Sequence, residues 1–104
     1  MAMPDAIEAL LRLEAAPAPR LTRTAYNLSA FAPTAQDVHD AVLAAFPAAS
    51  LSWRVDEKRQ AIVDSWPEDV DDSAARRDWN FRPRYDLPSA FQEYLLPTIT
   101  KLYP

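Results

Sequence analysis

Ser50-Leu51-Ser52-Trp53-Arg54-Val55 alternates polar and apolar side chains one by one. Successive side chains of an extended chain point to opposite faces, so this hexamer reads as a half-buried strand. Set among helical stretches, it makes the expected fold class α+β. A second strand is expected at Ala25-Tyr26-Asn27-Leu28, and Ala61-Ile62-Val63 reads as a brief extended piece leading into Ser65-Trp66-Pro67.

Helix signals surround these segments. Asp5 is the expected cap of a first helix, with Glu8 three residues on as its reciprocal partner and Arg12 spaced to pair with Glu8. Pro17 and Pro19 stop that helix near Ala15 or Ala16. Its apolar residues Ile7, Leu10, Leu11 and Leu13 spread over more of the circumference than one core stripe needs. Thr34, with Asp37 three residues later, opens a second helix that Pro47 closes; Val38, Ala41, Val42 and Ala45 form its apolar side, and His39 lies on the other. A short helix begins at Asp71-Asp72-Ser73 and runs to about Trp79, where Asn80 suits a left-handed cap. A last helix starts at Asp86-Leu87-Pro88 and is kinked or ended by Pro97. The expected architecture is therefore a small mixed α/β unit: three to four helices with a sheet of two or three short strands. So thin a sheet supports four helices poorly, which points to a further packing partner.

The composition excludes several kinds of chemistry. A chain of 104 residues is one domain with a modest core. The absence of cysteine removes disulfides, thiolate nucleophiles and Cys-containing zinc sites, and a single histidine removes multi-His metal arrangements. Glycine is missing altogether. A dinucleotide cradle needs small, φ-permissive residues where a strand turns into its helix beneath a pyrophosphate, so this chain cannot write one of the usual kind. Net charge is −4 with the basic residues dispersed, so neither a nucleic-acid nor a membrane partner is expected. No stretch reads as a membrane span or export signal, and a cytoplasmic location is expected.

No catalytic constellation emerges. A tyrosine that transfers protons in a short-chain oxidoreductase needs a cation one helical turn away to lower its pKa. Tyr26, Tyr85 and Tyr94 are followed four residues on by Ala30, Ser89 and Thr98, and Tyr103 has no such position. His39 beside Asp40 reads as a solvated surface residue. Glu68, Asp69, Asp71 and Asp72 read as helix-start acids rather than a metal loop or a glycosidase pair. Arg59 and Trp66 admit two readings: an ion pair and a core residue, or the lining of a cleft shared with a partner domain. Trp53 and Trp79 read as core anchors.

The chain resembles the short-chain type of L-threonine 3-dehydrogenase, within the extended NAD-dependent epimerase/dehydratase-like superfamily. The similar stretches are Met3-Pro4-Asp5-Ala6, Tyr26-Asn27-Leu28-Ser29 with Phe31 and Pro33-Thr34, Arg59 through Pro67, and Asp71 through Trp79. Asn80-Phe81 departs from the glycine and tryptophan usual there. The resemblance implies that residues 1–104 form the C-terminal substrate-binding domain of an extended short-chain dehydrogenase without its Rossmann domain. It implies NAD for the full-length parent and none in this chain, with an L-threonine-like substrate only in a complete enzyme. It further implies Arg59 and Trp66 as substrate-pocket residues, with no catalytic, cofactor or metal residue to carry over. The alternative is a stand-alone interaction module that docks on a separate Rossmann-type partner or self-associates. In either case the helix carrying Ile7 through Leu13 is the expected contact, to a missing Rossmann domain or in a homo-oligomer.

Overall fold

The computed structural model describes residues 1–103, and among them no residue lies in a β-strand. The fold is helical: α1 (Met3–Glu14), a 3-10 turn (Ala18–Arg20), α2 (Ala35–Ala45), α3 (Glu57–Asp64), α4 (Ser73–Trp79) and a composite last helix α5, residues 87–102. The expected mixed α/β unit is thereby overturned. A strand needs a partner for its backbone N–H and C=O groups, and an alternating side-chain pattern says nothing about whether one is present. Residues 51–55 run as irregular chain with every side chain exposed. The other expected strand, 25–28, is engaged elsewhere: the Tyr26 hydroxyl donates to Asp78 at 2.7 Å, and its ring meets Trp79 edge-on at 5.9 Å.

The expected extended piece 61–63 lies inside α3. Asp56 caps this helix, its Oδ1 accepting from the amides of Lys58 (3.1 Å) and Arg59 (3.2 Å). The second helix follows its predicted start: Thr34 Oγ1 accepts from Asp37 N, and Asp37 Oδ2 accepts from Thr34 N, a complete capping box. Asp5 departs from expectation. Ala2 is the cap residue of α1, and Asp5 turns inward, where its carboxylate accepts the amides of Arg84 (3.0 Å) and Tyr85 (3.1 Å). Glu8 does pair with Arg12, at 2.7 Å.

α5 does not end at Pro97. The helix starts with an α-turn at Leu87–Ser89, capped by Asp86, widens to a π-segment at Ala90–Leu95 and resumes as α over Leu96–Leu102. A π-turn moves the bonding one residue along, so the missing N–H of Pro97 falls at the junction rather than inside an α ladder. The hydroxyls of Thr98 and Thr100 donate to the carbonyls of Tyr94 and Leu96 there.

The core is small. Ala9 of α1, Ala75 and Trp79 of α4, and Phe81 form one cluster; Ala2, Tyr85 and Ala90 form another. The two alanines Ala9 and Ala75 hold little volume, and the rings of Trp79 and Phe81, 5.5 Å apart, fill the space beside them. Asn80 adopts the left-handed conformation (φ 57°, ψ 41°), and Phe81 N–H reaches back to the carbonyl of Ala75. That bond ends α4 and directs the Phe81 ring inward, to 2% exposure.

The resulting body is flat, 53 × 36 × 17 Å. Its radius of gyration is 17.1 Å, against about 13 Å for a compact domain of this length. Its accessible surface of 8318 Å² exceeds by roughly 40% the area expected of a compact monomer of this mass. Large apolar side chains contribute to it. α1 turns its small and acidic residues inward (Asp5, Ala9) and leaves Met3, Ile7, Leu10 and Leu11 wet, with Leu10 at 67% exposure. None of the helices among the described residues is long and apolar enough to cross a membrane.

Candidate functional site

Two clusters deserve comparison as chemistry, one buried and one exposed. The buried one centres on Asp78, which is 4% exposed. Its Oδ2 accepts from Thr22 N (3.0 Å), the Thr22 hydroxyl (2.6 Å) and the Tyr26 hydroxyl (2.7 Å), while Oδ1 accepts from Arg77 Nε (3.0 Å). The Thr22 hydroxyl first, then its amide, with Tyr26 and Arg77 adding, hold this carboxyl well below the usual carboxylate range. Burial pushes the Tyr26 phenol up, and the bond to Asp78 adds to that rise. A proton-transferring tyrosine needs the opposite shift. The cluster ties the connector after α1 to α4; it is a structural clamp.

The exposed one is the segment between α2 and α4. Every residue from 50 to 71 is exposed, including Leu51, Trp53, Val55, Ile62, Val63, Trp66 and Val70. Arg59 stands on α3 with its side chain 86% exposed and its Nε 3.6 Å from Asp56. Trp66 follows the end of α3 at 65% exposure. Both groups are therefore free in this chain: Trp66 is not a core residue, and Arg59 has only a loose surface pair. The arrangement leaves a planar cation and an indole face exposed on one segment.

Two residues behave differently from their sequence reading. Trp53, expected in the core, is exposed and stacks on His39 with ring centroids 5.3 Å apart and planes 23° from parallel. His39, expected on the solvated side of α2, is partly covered by that ring while its Nδ1 lies 3.0 Å from Asp40. No sequence signal links positions 39 and 53. Of the acids expected at the helix start, Asp71 accepts Ser73 N and Asp72 pairs with Arg76 without making a capping bond, whereas Asp69 accepts from Val70 N and, across the fold, from the Ser29 hydroxyl. Among the described residues, no group of three or more His, Cys, Asp or Glu side chains is placed to hold a metal ion.

No family model matches the chain. Among curated proteins it is 40% identical over 100 residues to an uncharacterized epimerase/dehydratase of Staphylococcus haemolyticus, an alignment covering 95% of this chain and 31% of that protein. Among solved structures it matches L-threonine dehydrogenase from Clostridium difficile with a TM-score of 0.85 and 34% identity, over 98% of this chain and 32% of that one. L-threonine 3-dehydrogenase from Trypanosoma brucei matches with a TM-score of 0.86 and 31% identity, over 99% and 32%. The chain spans about a third of the length of the relatives it matches. It is homologous, nearly end to end, to one domain-sized part of the L-threonine 3-dehydrogenase and epimerase/dehydratase family.

Proposed function

We propose that this chain is the C-terminal, substrate-covering domain of an NAD-dependent oxidoreductase of the L-threonine 3-dehydrogenase type, inactive by itself. The observation that carries the reading is its near-complete structural match to a third of such enzymes. Its own surface supports the same view. The excess of roughly 2,400 Å² over a compact monomer is about three times what one partner contributes to an interface of standard size. That is the scale of a domain boundary. The wet stripe of Met3, Ile7, Leu10 and Leu11 is the face that meets the nucleotide-binding domain, while Arg59 and Trp66 border the substrate in the cleft between the two domains.

The residues present do not fit the dinucleotide. The chain has no glycine, and the described residues contain no strand to turn into a helix beneath a pyrophosphate. In this reading NAD is held, and the hydride accepted, on the remainder of the enzyme. The same stripe on α1 favours one alternative, a homo-oligomer or interaction module joined through that helix.

The test is complementation. Fused to, or mixed with, the nucleotide-binding part of a homologous L-threonine dehydrogenase, the chain is expected to restore L-threonine-dependent NAD reduction. Arg59→Ala and Trp66→Ala in that complex are expected to raise KM. Failure of the fusion to turn over L-threonine, although folded and NAD-loaded, would overturn the assignment. A discrete oligomer in sedimentation, with no affinity for the nucleotide-binding part, would favour the module.

A further inference from the structure

The segment from 50 to 70 emerges from the fold with its side chains in water, yet it has a defined seat. Among the described residues, one aromatic stack and one side-chain hydrogen bond join it to the rest of the molecule, with the charge of Arg76 acting on Asp69 beside the latter. At its start Trp53 stacks on His39 of α2. At its end Ser29 Oγ donates to Asp69 Oδ1 at 2.6 Å. Every other hydrogen bond of the segment is internal, from the Asp56 cap to the turn at Ser65-Trp66.

We propose that residues 50–70 form a strap with two latches, His39–Trp53 and Ser29–Asp69, and that the latches are positioning devices for Arg59 and Trp66. A segment with no buried side chain draws little orientation from packing. Its placement must come from its few directional contacts. The stack fixes the entry through a flat ring-on-ring geometry. His39 is itself braced, its Nδ1 next to Asp40, whose Oδ1 also accepts from Gln36 Nε2 at 2.7 Å. The exit is fixed by a hydroxyl–carboxylate bond, and the same carboxylate oxygen accepts Val70 N. α3 lies between these points and is steadied from both ends, carrying Arg59 on its first turn and Trp66 just past its last. Opening one latch frees one end of the strap and leaves the Trp79–Phe81 core untouched. The latches belong to this chain and are tested without substrate; what the strap covers rests on the preceding reading.

Hydrogen exchange on the 104-residue chain, resolved by segment, tests the latches. His39→Ala is expected to speed exchange over residues 57–64 about fivefold, the equivalent of one aromatic pair, with residues 75–81 unchanged. His39→Phe keeps a ring under Trp53 and is expected to exchange like the parent. Ser29→Ala is expected to speed exchange at residues 66–70, and Ser29→Thr to restore it. Unchanged exchange in both alanine variants would overturn the proposal. So would equal acceleration of strap and core, which marks a loss of global stability. In the complemented enzyme, His39→Ala is expected to raise KM severalfold with kcat retained. An unchanged KM beside a positive exchange result would leave the latches standing and remove Arg59 and Trp66 from the substrate.

Discussion

Trp79 and Trp66 lie in neighbouring stretches of similar apolar content, and the fold treats them in opposite ways. Around Trp79, two alanines on separate helices leave room for aromatic rings, and a saturated carboxylate at Asp78 pins the connector across them. Around Trp66, Ile62, Val63 and Val70 have no opposing surface and remain wet. Apolar residues make a core only where a complementary surface of matched volume stands opposite. In this chain one such surface is internal; the strap's is not.

Substitutions at four positions sharpen or break this contrast. The largest effect is expected from Phe81→Ala, about 3–5 kcal/mol of unfolding free energy by urea titration. A loss below 1 kcal/mol would place the Phe81 ring outside any working core. Next is Asp78→Asn. A carboxyl held below its ordinary range in the folded state stabilises the fold above the pH where free aspartate titrates. That contribution is lost as pH falls below about 4. The variant is expected to be less stable at pH 7 and to show a shallower loss of stability on the acid side, although Asp37 and Asp86, lowered by their own capping bonds, still contribute there. An acid limb identical to the parent's would remove Asp78 from its clamping role. Asn80→Ala is expected to cost about 1 kcal/mol in thermal unfolding, because alanine resists the left-handed cap that asparagine accepts; Asn80→Gly should cost nothing. The smallest effect is expected from Trp66→Ala, within about 0.5 kcal/mol. A cost above 2 kcal/mol would mean that the strap packs against the body and would erase the contrast.

What the sequence reveals follows the range of the interaction. The cap at Thr34–Asp37, the left-handed Asn80, the Glu8–Arg12 pair and the wide apolar stripe of α1 are local, and all are readable from residue type and spacing. The resemblance carried by Arg59 through Pro67 and Asp71 through Trp79 identified the family without any view of the fold. The strand readings failed because alternation at 50–55 records which side chains are apolar, whereas strand formation depends on a second segment to bond with. The helix at Glu57–Asp64 has its local signal in the Asp56 cap, while the β-branched pair in Ala61-Ile62-Val63 mimics an extended segment five residues later. Asp5, a cap by spacing alone, serves amides at Arg84 and Tyr85, far beyond any local pattern. The pairing of His39 with Trp53 is likewise long-range, and the candidate site is legible only as residue types until the structure shows Arg59 and Trp66 standing clear of the core.

A body of 53 × 36 × 17 Å exposes more surface for its mass than a rounded domain does. Any partner that binds the folded chain and not the unfolded one joins the folding equilibrium by mass action, adding RT ln(1 + [L]/Kd) to the free energy of unfolding. The melting temperature of this chain is in that sense not a constant of the polypeptide. It rises with the concentration of such a partner, as the unfolding free energy gains about 1.4 kcal/mol with each tenfold step above Kd.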